Sequence, residues 1–283
     1  MKAVQLPGGQ AVPALGLGTW RMGESPRKRR AEVAAVREAV QLGYRLIDTA
    51  EMYGEGGAET VLGEALHGAM AAAEVTRDEL FVVSKVYPHN ASRRGTIAAC
   101  ERSLQRLRLD TFDLYLLHWR GAHPLAETVD AFQILKDQGR IRHYGVSNFD
   151  ADDMRELRAV AGGDACAADQ VWYSASQRGV EFALLPWLRE HRVALMAYSP
   201  IDQAALARNA ALDEIGRRLG VSAASVALAW LLRQGVIAIP KAVRSEHLRE
   251  NLAAATLELD GEALRAIDAA FPPPRRATAL AIN

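Results

Sequence analysis

The stretch of sequence that decides the fold is "LFVVSKVYPHNASRRGTIAACERSLQRLRLDTFDLYLLHW", residues 80–119. It begins and ends with short apolar runs, 80–86 and 112–119, and residues 95–109 between them have the apolar spacing of a helix. Near-continuous apolar runs joined by a helix are typical of parallel strands that are covered on both faces. The stretch therefore predicts a β-α-β unit.

The same alternation of apolar run and helical segment continues along the whole chain. It favours parallel pairing with crossover helices outside the sheet, and eight such units in roughly 250 residues are typical of a (β/α)8 barrel. We therefore predict an α/β fold, a (β/α)8 TIM barrel, formed by residues 1–283 as a single domain. The eight predicted strands are ALGLGTW (14–20), YRLIDTA (44–50), LFVVSKV (80–86), FDLYLLHW (112–119), HYGVSNF (143–149), ADQVWYS (168–174), VALMAYSP (193–200) and VIAIPKA (236–242).

Two additions to the barrel are expected. Residues 4–9 (VQLPGG) and 12–15 (VPAL) predict a β-hairpin with a Pro-Gly-Gly turn, which would close the bottom of the barrel. Two extra helices are predicted at about 209–219 and at about 260–271.

Composition excludes several classes of protein. The 34 basic and 34 acidic residues give a formal net charge of zero, so nothing favours nucleic acid or an anionic membrane as a partner. The basic run RKRR (27–30) is interpreted as a solvated helix start. Cys100 and Cys166 have no disulfide-framework or metal-binding spacing, and no metal site is predicted. Since neither a signal peptide nor a membrane span is recognisable, we expect a cytoplasmic location.

Four polar residues with complementary chemistry lie at or just after predicted strand ends. Asp48 follows YRLI, Tyr53 lies on the next loop in IDTAEMYGEG (47–56), Lys85 lies near the end of LFVVSKV, and His118 ends LYLLH. The carboxyl ends of barrel strands gather on one face, where active sites are found. The set predicts a proton-donating site in which Tyr53 is the general acid, Lys85 a nearby cation held by Asp48, and His118 a hydrogen-bond partner of the substrate carbonyl.

The proposed acid needs help, because the reference pKa of a tyrosine is about 10. An ammonium at about 4 Å supplies about 4 kcal/mol at an effective dielectric constant of about 20, so we expect Lys85 to lower the pKa of Tyr53, by up to about 3 units. Taken singly, the residues have ordinary explanations: a structural ion pair, a packed histidine and a loop aromatic. Their joint placement on neighbouring strand ends favours catalysis.

A proton donor for carbonyl chemistry requires a nucleophile, and the GxSxG, Walker A, HExxH and GxGxxG motifs are all missing from the sequence. A hydride from a nicotinamide cofactor would complete carbonyl reduction, and the barrel loops would then have to bind that cofactor. Candidate contacts are 146–148, Gln170, 197–200 and 239–251. In the last of these a strand leads into a basic helix start that suits a phosphate, although an ordinary charged helix explains it equally well.

At this point the motifs LGLGTW, IDTAEMYGE, VVSKV, LYLLHW, GVSNF, AYSP and IPKA…EN resemble, in order, those of the aldo-keto reductases. The resemblance runs from residue 6 to about residue 251. It implies a (β/α)8 barrel, usually monomeric, that reduces small aldehydes or ketones with NADPH. Other segments look most similar to a bacterial branch that includes methylglyoxal-reducing enzymes.

By resemblance, the family's catalytic tetrad falls on Asp48, Tyr53, Lys85 and His118. The substrate pocket would be lined by Trp20, Tyr53, His118 and Trp119. The expected cofactor contacts are Thr19, Trp20, Asp48, Ser147, Asn148, Gln170, Tyr198, Ser199, Pro200, Ile201, Lys241, Ala242, Val243, Arg244, His247, Glu250 and Asn251.

The sequence departs from the family pattern at several positions. His247 and Ala242 stand where many members have arginine and serine, so the use of NADH beside NADPH stays open. Asp169 replaces a common asparagine and is expected to alter the charge near the nicotinamide carboxamide. Arg120 replaces a common proline and either attracts anionic substrates or faces solvent. The short C-terminal segment predicts an open, permissive pocket.

Two alternative functions compete with reduction of small aldehydes. One is a cofactor-binding sensor or regulatory subunit with little turnover, against which the complete tetrad argues. The other is a Schiff-base aldolase in which Lys85 attacks a carbonyl, and pairing with Asp48 would make that lysine a poor nucleophile.

Overall fold

A computed structural model describes residues 2–282 of the protein. Eight parallel strands lie side by side in chain order, which confirms the predicted barrel. The first and last of them are joined by parallel bridges between Leu15 and Ala238 and between Gly18 and Lys241, so the sheet closes on itself. Numbered after the hairpin strands β1 (Ala3–Gln5) and β2 (Ala11–Pro13), they are β3 (Gly16–Gly18), β4 (Leu46–Asp48), β5 (Phe81–Val86), β6 (Phe112–Leu117), β7 (Ile141–Ser147), β8 (Ala168–Trp172), β9 (Ala194–Tyr198) and β10 (Ile237–Ala238).

Helices follow each barrel strand and cover the outside of the sheet. Several begin at a polar residue whose side chain accepts a hydrogen bond from a first-turn amide, as Ser92 does from Gly95 at 3.1 Å. The helices are α1 (Pro26–Leu42), α2 (Gly57–Ala71), α3 (Arg93–Leu107), α4 (Leu125–Asp137), α5 (Ala151–Ala159), α6 (Leu184–Glu190), α7 (Ala210–Leu219), α8 (Ala223–Arg233), α9 (Ser245–Ala254) and α10 (Gly261–Ala270). The two extra helices are confirmed as α7 and α10, and residues 27–30 are exposed in the first turns of α1.

The N-terminal hairpin closes the barrel bottom, as predicted. β1 pairs antiparallel with β2, and Gly8 and Gly9 have φ of 92° and 88°, which glycine adopts without strain. Leu6 and Val12 are buried in the same apolar cluster as the side chains that fill the barrel interior. The bottom is therefore packed with apolar side chains, and polar chemistry is left to the opposite end.

The outer faces of the strands pack against the helices in a second, larger apolar cluster. Within residues 2–282 no single helix has the length and hydropathy needed to cross a membrane. Helices α7 and α8 reach that length and hydropathy only as a pair, across a 91° bend.

Candidate active site

The predicted catalytic side chains continue the inward-facing rows of the barrel strands. Side chains alternate between the two faces of a strand, so a residue two positions after an inward-facing residue also points inward. Leu46, Val83 and Leu116 pack in the barrel interior. Two positions beyond them, at the carboxyl ends of β4, β5 and β6, lie Asp48, Lys85 and His118.

Lys85 is the centre of the site and has no solvent exposure. Its Nζ lies 2.8 Å from both carboxylate oxygens of Asp48, 2.8 Å from the carbonyl oxygen of Thr49 and 3.4 Å from the hydroxyl of Tyr53. An ammonium has three N–H groups and a neutral amine only two, so these three partners fit the charged form of Lys85. Because Nζ donates to the Tyr53 oxygen, the hydroxyl proton of Tyr53 points away from Lys85.

Tyr53 is held by an unusual turn that leads from β4 into α2. Gly54, Glu55 and Gly56 have φ of 57°, 53° and 87°, so three successive residues lie in the left-handed region. Glycine adopts this conformation readily, but Glu55 adopts it at a cost of about 1–2 kcal/mol. The turn brings the Tyr53 ring centroid to 5.0 Å from the Lys85 ammonium. Tyr53 therefore joins the strand-end residues although it lies outside any strand.

Burial governs the protonation of these groups. Burial raises the pKa of Asp48, and the contacts that Asp48 makes with Lys85 and Gln170 lower it again. Burial also lowers the pKa of Lys85, and the neighbouring Asp48 raises it again. The prediction that Lys85 lowers the pKa of Tyr53 is wrong: burial raises that pKa well above its ordinary value, and interactions with Asp48 and Tyr198 raise it further. The expectation included the ammonium and the carboxylate that weakens its field, but it left out the loss of water around the buried phenol.

His118 is nearly buried, with 8% exposure, and its ring centroid lies 5.8 Å from that of Tyr53. Burial, and then the charge of Lys85, lowers its pKa well below the ordinary value, so the ring is neutral near pH 7. A neutral imidazole has one N–H donor and one acceptor nitrogen. His118 can therefore orient a carbonyl oxygen by hydrogen bonding but holds no extra proton to give.

The residues expected at the nicotinamide end form one hydrogen-bonded group beside the tetrad. Gln170 Nε2 donates to Asp48 at 2.7 Å, and Ser147 Oγ donates to the Gln170 carbonyl at 2.7 Å. Asn148 donates to Ser147 Oγ at 3.1 Å and accepts from the Tyr198 hydroxyl at 2.8 Å. These amide and hydroxyl groups suit a carboxamide, which needs both donors and acceptors. Ser199, Pro200 and Ile201 follow directly after β9.

The residues expected at the phosphate end lie around the start of α9. Lys241 is joined to Gly18 by the barrel-closing bridge, so this region adjoins Thr19, whose hydroxyl donates to the Asp48 carbonyl at 3.0 Å. Arg244 occupies the N-cap position of α9, and its side chain contacts His247. In the described chain no side chain caps the first-turn amides of α9, so donors and cations suited to a phosphate oxygen are present. The other expected contacts there are Ala242 (buried), Val243 (exposed), Glu250 (half-buried) and Asn251 (buried).

Comparison with known proteins supports the same reading of the whole chain. The family model described as "Aldo/keto reductase family" matches residues 14–271. The chain belongs to the aldo/keto reductase family. It is therefore an oxidoreductase that uses a nicotinamide cofactor.

Individual relatives of this aldo/keto reductase match over nearly its full length. Methylglyoxal reductase YeaE of Escherichia coli K12 is 48% identical over 99% of this chain and 98% of its own. Methylglyoxal reductase DkgB of Escherichia coli O157:H7 is 31% identical over 92% of this chain and 93% of its own. An aldo/keto reductase from Klebsiella pneumoniae, crystallised with NADP and acetate, is 45% identical with a TM-score of 0.94, covering 100% of this chain and 99% of its own.

Aromatic side chains stand beside the tetrad of this aldo/keto reductase on one side. The ring of Trp119 lies 4.9 Å from His118 and 5.2 Å from Tyr87. Trp20 lies after β3, and the guanidinium of Arg21 lies 4.4 Å from the centroid of its ring. In residues 2–282 no ring contact joins Trp20 to Trp119. Tyr87 was not among the residues predicted from the sequence, although it lies two positions after Lys85 and the same alternation of side chains indicates it.

Arg120 is exposed, which is one of the two alternatives left open by the sequence, and its guanidinium is also ion-paired. Its guanidinium makes a two-pronged contact with Glu156 of α5, with both N–O distances 2.6 Å, and lies 3.5 Å from Asp153. The positive charge is thus matched by carboxylates on the neighbouring helix. We interpret Arg120 as a tie between the loop after β6 and α5.

Asp169 was expected to alter the charge near the carboxamide, and the structure contradicts this. Gln170 faces the barrel interior, so the adjacent Asp169 faces the outer layer, where it is fully buried. Burial raises its pKa well above the ordinary value, against a lowering by the Phe149 amide. Beyond that amide, neither carboxyl oxygen has a hydrogen-bond partner among the described residues. Asp169 therefore belongs to the helix layer near the start of α5.

Proposed function

We propose that this chain, as one domain, is an NADPH-dependent reductase of small aldehydes, including 2-oxoaldehydes such as methylglyoxal, with Tyr53 as the general acid. The observation that carries the proposal is the contact of the Tyr53 hydroxyl with the Lys85 ammonium, 3.4 Å away at the barrel mouth. The reaction adds a hydride and a proton to a carbonyl group and yields an alcohol and the oxidised cofactor.

The protein residues supply the proton and its positioning. Tyr53 stays protonated near pH 7 because its pKa is raised, and it gives its proton to the carbonyl oxygen as that oxygen becomes an alkoxide. Lys85 stabilises the resulting phenolate, since its ammonium lies against that oxygen. Asp48 holds Lys85 in place, and neutral His118 orients the carbonyl. Solvent then returns a proton to Tyr53.

The cofactor contacts divide between two parts of the site. Ser147, Asn148 and Gln170 would hold the carboxamide, and the basic residues at the start of α9 would hold the phosphate end. When bound, the reduced nicotinamide supplies the hydride. Lys241 and Arg244 provide the positive charge that favours NADPH over NADH.

The substrate class is proposed from two sources. Two relatives that match nearly the whole chain are named methylglyoxal reductases. The aromatic side chains of Tyr87 and Trp119 beside His118 provide an apolar wall. A small aldehyde needs little more than this wall and the polar groups of Tyr53 and His118, which contact its carbonyl oxygen.

The test replaces the acid and follows NADPH oxidation at 340 nm with methylglyoxal, a benzaldehyde, a sugar aldehyde and a keto acid. Tyr53→Phe is expected to lower kcat about 100- to 10,000-fold, the usual contribution of a general acid, while NADPH binding persists. Tyr115→Phe is the matched control, because its buried hydroxyl makes no hydrogen bond within residues 2–282. Equal activity of wild type and Tyr53→Phe would refute the proposal. A protein that binds NADPH but reduces none of the four substrates would instead be a sensor.

The same measurements separate reduction from a Schiff-base reaction. Lys85 is paired with Asp48 and would have to lose its proton before it could attack a carbonyl. We expect borohydride to trap no adduct on Lys85. A trapped adduct on that residue, without nicotinamide-dependent turnover, would favour the aldolase.

A further inference from the structure

An ion pair between a buried glutamate and a half-buried arginine lies behind the Tyr53 turn, on the outer side of the sheet. Glu59 of α2 is fully buried, and its Oε2 accepts a hydrogen bond from Arg106 Nε of α3 at 2.6 Å. Arg106 also donates to Ser103 at 2.9 Å. Burial raises the pKa of Glu59, and the charge and hydrogen bond of Arg106 lower it again. The charged form of Glu59 therefore depends on Arg106.

One arm of this pair reaches the strand that carries Lys85. Glu59 Oε1 accepts a hydrogen bond from Ser84 Oγ at 2.6 Å. Ser84 immediately precedes Lys85 in β5, so its side chain faces outward where that of Lys85 faces inward. Glu59 thus fixes the backbone of β5 next to the ammonium.

The other arm reaches the turn that carries Tyr53. The Arg106 side chain lies directly over Gly56: a Cβ atom at that position would be 2.6 Å from Arg106 Nε. Thr60, next to Glu59 on α2, donates from its hydroxyl to the Gly56 carbonyl at 2.9 Å. Gly56 is the last of the left-handed residues that follow Tyr53.

The turn needs such support from outside. Left-handed conformation at Glu55 is unfavourable for a residue with a side chain, and a strained turn persists only where its surroundings hold it. The Tyr53–Lys85 distance of 3.4 Å is already long for a hydrogen bond, so a small movement of the turn would break it. Lys85 and Tyr53 lie on separate segments, and the Glu59–Arg106 pair contacts both.

We propose that Glu59 and Arg106 are positioning residues that hold Tyr53 at the Lys85 ammonium for proton transfer. The inference rests on the proposed function, in which Tyr53 is the proton donor. Neither residue touches the reacting atoms, so their replacement acts on kcat through Tyr53. A displacement of about 1 Å can cost about 100-fold in rate, and we expect a loss approaching that size.

The test compares Glu59→Gln and Arg106→Met with Glu64→Gln. Glu64 lies on the same helix α2 and also pairs with an arginine of a neighbouring helix, Arg29, but that pair is exposed. The expected result is a kcat for methylglyoxal lowered about 10- to 100-fold in the first two variants, with the NADPH dissociation constant from fluorescence titration within about twofold of wild type. Glu64→Gln should retain the wild-type kcat. Arg106→Met leaves the buried Glu59 charge without its partner. If this variant does not fold, the kcat of Glu59→Gln alone tests the inference.

A double-mutant cycle separates positioning from general damage. If Glu59 acts through Tyr53, adding Glu59→Gln to Tyr53→Phe lowers the residual rate by less than about twofold. The same 10- to 100-fold loss in the Tyr53→Phe background would overturn the inference, as would a wild-type kcat in Glu59→Gln. Retained activity in Tyr53→Phe would instead refute the proposed function, so the two failures are distinguishable.

Discussion

The buried carboxyl of Asp169 predicts an unusual dependence of stability on pH. The side chain has no solvent exposure, and burial raises its pKa well above that of an unfolded chain despite the lowering by the Phe149 amide. Above pH ~4 the unfolded chain has lost this proton and the folded protein still holds it. The folded state then binds more protons, so the free energy of unfolding falls as pH rises, opposite to the usual behaviour of a salt-bridged aspartate.

The size of the effect follows from the proton count. One proton bound in the folded state but not in the unfolded state changes the free energy of unfolding by about 1.4 kcal/mol per pH unit. Over each pH unit in which the folded protein keeps this proton, Asp169 should therefore remove about 1.4 kcal/mol relative to a variant that cannot ionise, and the range to compare is pH ~4.5 to pH ~6.5. Asp169→Asn keeps the shape of the side chain but has no carboxyl group that can ionise.

The assay is urea unfolding of wild type and Asp169→Asn, followed by circular dichroism across that pH range. We expect the variant to gain stability over wild type steadily as pH rises. Asp152→Asn serves as the control, because it removes an exposed carboxylate near the start of α5. If the wild-type and Asp169→Asn curves run parallel with pH, the folded protein does not retain the proton and the reasoning is wrong.

Three further predictions concern the site and its surroundings. Gly56→Ala adds a Cβ 2.6 Å from Arg106 Nε at a residue with φ of 87°. We therefore expect kcat to fall and the free energy of unfolding to drop by at least about 1 kcal/mol. An unchanged melting temperature and an unchanged kcat would contradict this expectation. Arg120→Ala should leave the ratio of kcat/KM for anionic and neutral aldehydes unchanged, because Glu156 already occupies the guanidinium; a selective loss for anionic aldehydes would show that it binds substrate. The pH profile of kcat/KM should have no inflection near the ordinary pKa of histidine, since the pKa of His118 is lowered by burial and Lys85; His118→Gln should not alter the profile's shape there.

The strand-end residues could be predicted because a barrel places them by rule. Parallel strands end at one face, and alternation decides which side chains point inward, so Asp48, Lys85 and His118 followed from their positions after apolar runs. The same rule would have assigned Asp169 to the outer layer from its neighbour Gln170. That error came from treating adjacent residues of a strand as members of one pocket.

Other features depend on contacts that no local pattern records. Arg120 meets Glu156, and Arg106 meets Glu59, through pairings 36 and 47 residues apart in the chain. Which helix side chains meet depends on how neighbouring helices pack around the barrel, and the sequence contains no marker of that packing. The sequence could therefore predict the site's chemistry but not the contacts that hold it in position.

The raised pKa of Tyr53 is compatible with its proposed role because catalysis depends on the change in charge during the reaction. Before reaction, a neutral phenol in a dry site keeps its proton at working pH. As the carbonyl oxygen becomes an alkoxide, which is more basic than a phenolate, the proton moves and negative charge develops 3.4 Å from the Lys85 ammonium. The ammonium thus favours the transition state over the ground state, which accelerates the reaction. The carboxylate of Asp48 weakens this field but keeps the ammonium charged and fixed, so Lys85 acts without rearranging when the charge appears.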